Sequence, residues 1–338
     1  MIPRHTEVIK THLARALGSY TASESVSVAM EVGIRQEAAV RRALAAAGGI
    51  GSAAISRTAA RTTRRRRRVN APVFEGEMAT KTRPVVHWRA SGNGPPLLLL
   101  NGWTASGLAW PHQWLSRLEE SYDVIRIDNR GTGWSRSAPS PFTIQDLADD
   151  ARDVLDDSAI EPAAVLGISM GGMIAQELAI RHSDIVQKLV LVATRPPTPA
   201  HSPISAEVLR LTWGRPLQGH ALREYFITTW AQTTGEGFAA AHPQILDELG
   251  DQIMRRITPR DGLVNQMRAI MAWHGPQRLR RISAPTTIVH GAQDPLITVD
   301  NGRRLAGLIP SARYVELPGV GHLVAHEASD SLIDALTH

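Results

Sequence analysis

The sequence predicts an α/β protein built on a mainly parallel sheet covered by helices, and three observations carry that reading. From Val85 onward, short apolar runs alternate with helical segments, the rhythm of parallel strands joined by crossover helices. Between Ala193 and Ser283 the strand rhythm stops, and a Pro-rich entry (Pro196, Pro197, Pro199, Pro203) leads into several helical stretches. One apolar run, Ala163 to Gly167, enters a Gly-x-Ser-x-Gly turn and gives way at once to a helix.

In chain order, the first segment reads as two helices, about Glu7 to Leu17 and Glu24 to Ala47. Thr21 and Ser23 stand as caps before the second, and Gly48-Gly49 closes it. Residues 48 to 70 are small, polar and arginine-rich, the composition of a linker with too little apolar surface to fold alone. Strands are expected at Val85 to Arg89, Leu97 to Leu100, Val124 to Ile127, Ala163 to Gly167, Leu189 to Val192, Thr286 to His290 and Tyr314 to Leu317. Helices are expected at Trp110 to Glu120, Ile144 to Ser158, Met170 to His182, Asp300 to Leu308 and His322 to Ala335. The organisation that follows is a basic, partly helical N-terminal extension (1–77), a core in two pieces (78–195 and 283–338) and a helical cap between them (196–282). A chain of 338 residues suits one large core with such additions, since single cores stop growing near about 250 to 300 residues.

Charge divides unevenly along the chain. Residues 1 to 70 hold 13 Lys+Arg against 4 Asp+Glu, a net charge of +9, while residues 71 to 338 hold 24 against 28, a net charge of −4. Nucleic-acid or anionic-surface binding would therefore belong to the basic arm and is not expected of the core. Cysteine is absent, which excludes a disulfide framework and a thiolate metal site. No HExxH helix or comparable cluster suggests a metal. No run approaches the roughly 18 apolar residues of a membrane span, and the N-terminus lacks the apolar core of an export signal, so the expected location is the cytoplasm.

The chemistry-bearing residues sit just past strand ends. In Gly167-Ile168-Ser169-Met170-Gly171-Gly172 the serine lies on a strand-to-helix turn, where small neighbours let main chain approach closely. The helix that follows directs free N–H groups and its positive dipole end at developing negative charge. A serine hydroxyl needs a base to act as a nucleophile near neutral pH. Downstream, one strand ends in Gly291-Ala292-Gln293-Asp294-Pro295 and another in Pro318-Gly319-Val320-Gly321-His322. In a parallel sheet those ends share the edge that carries Ser169, where such folds build their sites. Ser169 is thus read as nucleophile, His322 as general base and Asp294 as the carboxylate that orients it, in the chain order Ser, Asp, His. His326 is the rival to His322, and Asp300 the rival to Asp294.

Oxyanion donors are expected from the backbone N–H groups of Met170 and of Trp103 in the Asn101-Gly102-Trp103-Thr104 loop, with Gly102 shaping the turn. The Asp128 to Ser135 segment lacks the Lys-Ser/Thr ending of a phosphate loop; Asp128 and Arg130 are read as tying it down.

Together these residues resemble the α/β-hydrolase superfamily from about Val85 to the C-terminus, with Asn101 departing from the His that many members carry. The resemblance implies a central eight-stranded sheet, a cap inserted after the sixth strand, and a two-step acyl-enzyme mechanism without cofactor. The Gly167 to Gln176 stretch looks like enol-lactonases and small-ester hydrolases, so the expected substrate is an ester or lactone, and the aromatic cap (Trp213, Tyr225, Phe226, Trp230, Phe238 and Trp273) makes a fairly apolar one the expectation. Carbon–carbon bond hydrolases, cofactor-free perhydrolases and a non-catalytic ligand-binding member stay open, as does homo-oligomerisation. Of the cap aromatics, Trp213 and Trp230 are chosen with Trp103 as pocket lining.

Overall fold

A computed structural model describes residues 74–80, 83–136, 141–158, 162–203 and 220–337. The two helices expected before residue 48, the arginine run and Trp213 lie outside the described residues.

Eight strands form a single sheet: β1 (Phe74–Thr80), β2 (Arg83–Gly92), β3 (Pro96–Leu100), β4 (Asp123–Ile127), β5 (Ala163–Ile168), β6 (Val186–Val192), β7 (Thr286–Gly291) and β8 (Arg313–Leu317). Their order is β1-β2-β4-β3-β5-β6-β7-β8. β2 runs antiparallel to both β1 and β4, and every other pairing is parallel. The seven strands expected from the sequence are all present. β1 is the addition, and it corrects one boundary: the sheet begins at Phe74, inside the segment assigned to the extension. In Phe74-Glu75-Gly76-Glu77-Met78 the alternation is real but carries only two large apolar side chains, too weak a signal for a strand.

The strands are apolar on both faces because helices cover both. Along β3, Leu98 and Leu100 join one core and Leu97 and Leu99 the other, all four at 0 % exposure. Each such leucine contributes about 2 kcal/mol by leaving water. Against the first core lie α2 (Ile144–Asp157), α3 (Met170–Arg181) and α8 (Asp300–Leu308); against the second lie α1 (His112–Glu119) and α10 (Ser329–Thr337). α2 begins in a capping box: Asp146 N–H donates to the Thr143 hydroxyl while Thr143 N–H donates to the Asp146 carboxylate. α3 is buried along eleven of its twelve residues, which explains why its sequence shows no polar stripe.

Between β6 and β7 the described cap helices are α4 (His220–Ala231), α5 (Phe238–Ala241), α6 (Pro243–Arg255) and α7 (Arg260–Met271). The helix expected over His322 to Ala335 is in fact two, α9 (Val324–Glu327) and α10, separated by Ala328 in a non-helical conformation, and His322 precedes both on a loop. Among the described residues no helix is long and apolar enough to cross a membrane.

Candidate active site

Ser169 sits between β5 and α3 with φ +56° and ψ −119°, a conformation that costs a non-glycine residue about 1–3 kcal/mol. Its neighbours hold it there. Ser169 N–H donates to the Val192 carbonyl at 3.0 Å, and the Thr194 hydroxyl donates to the Ser169 carbonyl at 2.7 Å. The flanking glycines are required by space: a Cβ on Gly167 would lie 2.3 Å from the Gly171 carbonyl oxygen, and one on Gly171 would lie 2.0 Å from that of Leu100. Met170 opens α3, so its N–H is one of the helix-start donors that lack an intrahelical acceptor.

Asp294 and His322 are brought together. His322 Nδ1 lies 2.7 Å from Asp294 Oδ2, with Asp294 4 % and His322 3 % exposed. The other carboxylate oxygen accepts from the N–H groups of Leu296 (2.8 Å) and Ile297 (2.9 Å). Burial alone would raise the Asp294 pKa; the field of His322 and hydrogen bonds from His290 and His322 outweigh it and hold the carboxyl below the usual range. Because Asp294 accepts at Nδ1, the remaining imidazole nitrogen, Nε2, is the one left for chemistry.

His322 and Ser169 line the same cavity, together with Asn101, Gly102, Trp103 and Thr104. A Cβ on Gly102 would lie 3.1 Å from Ser169 Cβ, so the loop after β3 passes directly over the serine. Asn101 substitutes for the more usual histidine without loosening the loop: its buried amide donates to the Ser106 carbonyl at 2.7 Å, and its own carbonyl accepts from Asn129 at 3.1 Å. Cap helix α7 holds the other side. Gln266, fully buried, accepts from Thr104 N–H at 2.9 Å and donates to the Arg130 carbonyl at 3.0 Å, while the Trp103 indole donates to the Leu263 carbonyl at 3.0 Å.

Asp128 and Arg130 tie their segment down as expected: Asp128 accepts from the N–H groups of Gly107 (2.7 Å) and Trp134 (2.9 Å), and Arg130 forms a bidentate pair with Asp150 at 2.6 and 2.7 Å. Asp300, the rival to Asp294, is exposed and pairs with Arg303 at 3.0 Å. His326, the rival to His322, lines the cavity wall.

Three contributors escaped the sequence reading. Gln266 is one; a buried amide within a helix of otherwise mixed pattern was its only trace. His290 is another: completely buried, its Nε2 lies 2.7 Å from the Ile297 carbonyl and 3.5 Å from Asp294 Oδ2. Glu327 is the third, and it joins the cap to the histidine loop. Its carboxylate accepts from the N–H groups of Gly235 (2.7 Å), Gly321 (2.8 Å) and Leu323 (2.9 Å), and His322 N–H donates to the Thr233 carbonyl at 2.7 Å. Burial raises the Glu327 pKa against the lowering effect of those three donors.

Of the residues chosen as lining, Trp103 and Trp230 face the cavity, joined by Trp110, Leu249, Ile253, Leu296 and Leu323. Trp273 belongs elsewhere: it is buried in the core and its indole donates to Glu177 at 2.7 Å. Among the described residues no group of three or more His, Cys, Asp or Glu could hold a metal ion.

A mainly parallel sheet with a strained serine at a strand-to-helix turn, a buried Asp–His pair beside the same cavity and a helical insertion after the sixth strand is the architecture of a hydrolase. The chain belongs to the alpha/beta hydrolase fold family, whose model matches residues 95–329. It is 29% identical over 267 residues to a putative non-heme bromoperoxidase, BpoC, of Mycobacterium tuberculosis, covering 73% of this chain and 94% of that one. It is also 29% identical over 233 residues to the pimeloyl-[acyl-carrier protein] methyl ester esterase of Vibrio atlanticus, covering 67% and 86% respectively. Among solved structures, the enol-lactonase from Burkholderia xenovorans LB400 superposes with a TM-score of 0.65 at 25% identity, covering 78% of this chain and 100% of that one.

Proposed function

We propose that this hydrolase cleaves a carboxylic ester or lactone through an acyl-enzyme on Ser169, with His322 as general base and Asp294 as its orienting carboxylate. The observation that carries the reading is the 2.7 Å Asp294–His322 contact, buried, opening onto a cavity that also holds the strained Ser169. In the first step His322 Nε2 takes the Ser169 proton as Oγ attacks the carbonyl carbon, and the imidazolium is stabilised by Asp294. The oxyanion is met by the backbone N–H groups of Met170 and Trp103, each such donor being worth about 3 kcal/mol. His322 then returns the proton to the departing alkoxide. Water, deprotonated by the same imidazole, releases the acid and restores Ser169. Similarity to a methyl ester esterase and an enol-lactonase supports ester and lactone substrates over other acyl groups.

Similarity to the bromoperoxidase favours one variation, in which hydrogen peroxide replaces water as the second nucleophile and the product is a peracid. The test is labelling by a fluorophosphonate together with hydrolysis of p-nitrophenyl esters and of lactones of several ring sizes, each with and without peroxide. Labelling and turnover that vanish in Ser169→Ala are expected; a wild-type protein that neither labels nor turns over any member of the panel would point instead to a ligand-binding role for the fold.

A further inference from the structure

Several polar groups of the cavity are left unused by the proposed mechanism, among them His326 and the buried indole N–H groups of Trp230 and Trp110. His326 lines its wall, and among the described residues its ring makes no hydrogen bond or ion pair. Trp230 lines the same cavity from α4, and its buried indole N–H finds no acceptor among the described residues. Buried polar atoms in folded proteins are nearly always paired. An orphan indole donor and a partly buried, unpartnered imidazole lining one cavity therefore mark it as a place where a bound molecule can supply a partner.

What surrounds them narrows the chemistry of that molecule. The wall is otherwise built from apolar side chains such as Leu249, Ile253, Leu296 and Leu323, and none of the lining residues is Lys, Arg, Asp or Glu. A carboxylate or ammonium group here would lose its hydration and gain no counter-ion. Burial also pushes the His326 pKa down to about 4, so at neutral pH its ring is uncharged and offers one N–H donor and one lone pair. An indole N–H can only donate. A neutral acceptor satisfies both residues, and a carbonyl oxygen, which accepts without bringing a donor of its own, is the simplest such group.

We propose that His326 and Trp230 form a second polar anchor that selects uncharged ester or lactone substrates bearing a further carbonyl oxygen away from the scissile bond. This rests on the serine-hydrolase reading above and adds to it a substrate class: an apolar body with two carbonyl groups, one placed at Ser169 and the other held by Trp230 of α4 and His326 of α9. His326 and Trp230 act on affinity and register and take no part in proton transfer.

The experiment compares p-nitrophenyl hexanoate with its 3-oxo, 4-oxo and 5-oxo derivatives in the wild-type protein, His326→Leu, His326→Gln and Trp230→Phe. The expected result is that at least one oxo ester has a higher kcat/KM than hexanoate. That preference should fall at least tenfold in His326→Leu, fall less in Trp230→Phe, and be largely kept by His326→Gln, which retains a donor. The proposal is overturned if no oxo ester is preferred, or if the preference survives His326→Leu. Fluorophosphonate labelling of Ser169 in the same samples separates the two levels: labelling without an oxo preference overturns the anchor alone, whereas absence of labelling and of all turnover overturns the hydrolase reading with it. If His326→Leu does not fold, Trp230→Phe, which keeps an aromatic side chain and removes the donor with part of the indole, decides the outcome through the oxo preference, a ratio that a general loss of packing does not move.

Discussion

Asp294 makes three close contacts with two oxygens: both oxygens are engaged, one by two backbone N–H groups and the other by His322. Converting it to Asn keeps the shape but places an N–H₂ where an acceptor is needed, so the imidazole loses its partner at Nδ1. Asp294→Asn should lower kcat on the best ester by about 10³- to 10⁴-fold with a small change in KM, measured by steady-state kinetics. His326 gives a different kind of prediction. Its pKa in the folded chain, about 4, lies below its ordinary value of 6.5. Between those two pH values the unfolded chain binds a proton that the folded chain refuses, so stability decreases as pH falls through that window. Urea midpoints of the wild-type protein should therefore drop more steeply between pH 6.5 and 4 than those of His326→Gln. Equal slopes would show that the ring titrates normally in the folded state.

At the scale of elements, the loop after β3 and the cap helix α7 form one unit through Gln266, which bridges Thr104 N–H and the Arg130 carbonyl. Gln266→Ala removes both bonds, at a stability cost of about 2 kcal/mol, and frees the stretch that carries the Trp103 N–H. kcat should fall by about 10- to 100-fold while KM changes little; a raised KM with kcat intact would assign Gln266 to substrate contact instead. Such a bridge could not be read in advance. The strands, the serine turn and the two downstream strand ends were legible because period, glycine spacing and strand-end position are local properties of the chain. Gln266 and Glu327 reach partners up to 162 and 92 residues away, and nothing in the immediate surroundings of these two or of His290 distinguishes them from other buried or helical polar residues. β1 was missed for the opposite reason: its partner strand is next to it, but its own sequence is too polar to declare a face. The single helix expected after His322 failed because composition alone cannot reveal the break at Ala328.

For the whole molecule, the position of β1 decides where the chain can be shortened. β1 lies at the edge of the sheet and pairs along β2 from Phe74↔Ala90 to Thr80↔Arg83. A variant beginning after residue 73 keeps all eight strands, whereas one beginning after residue 81 exposes the free edge of β2, a template for strand addition between molecules. The shorter deletion should elute as a single species with ester turnover within about twofold of the full chain, and the longer one should aggregate, as judged by size-exclusion chromatography with light scattering. Loss of turnover on the shorter deletion would give the basic arm a part in function. The full chain and the shorter deletion, run over immobilised DNA, test the arm as the seat of any nucleic-acid affinity, which should follow the net charge of +9 in residues 1 to 70.

The junction formed by Glu327 bears on how this scaffold can diversify. Because the Thr233–Gly235 stretch is stitched to Gly321, His322 and Leu323 main chain to carboxylate and main chain to main chain, and a Cβ on Gly321 would lie only 2.4 Å from the Thr233 oxygen, that stretch is structurally part of the loop that carries His322 despite its numbering. Recombining this protein with a foreign lid should succeed or fail on that seam: crossovers placed beyond Glu236 exchange α5, α6 and α7 and leave the Gly321–Leu323 loop with its own partners, while crossovers before Thr233 replace the stretch whose carbonyl accepts from His322 N–H.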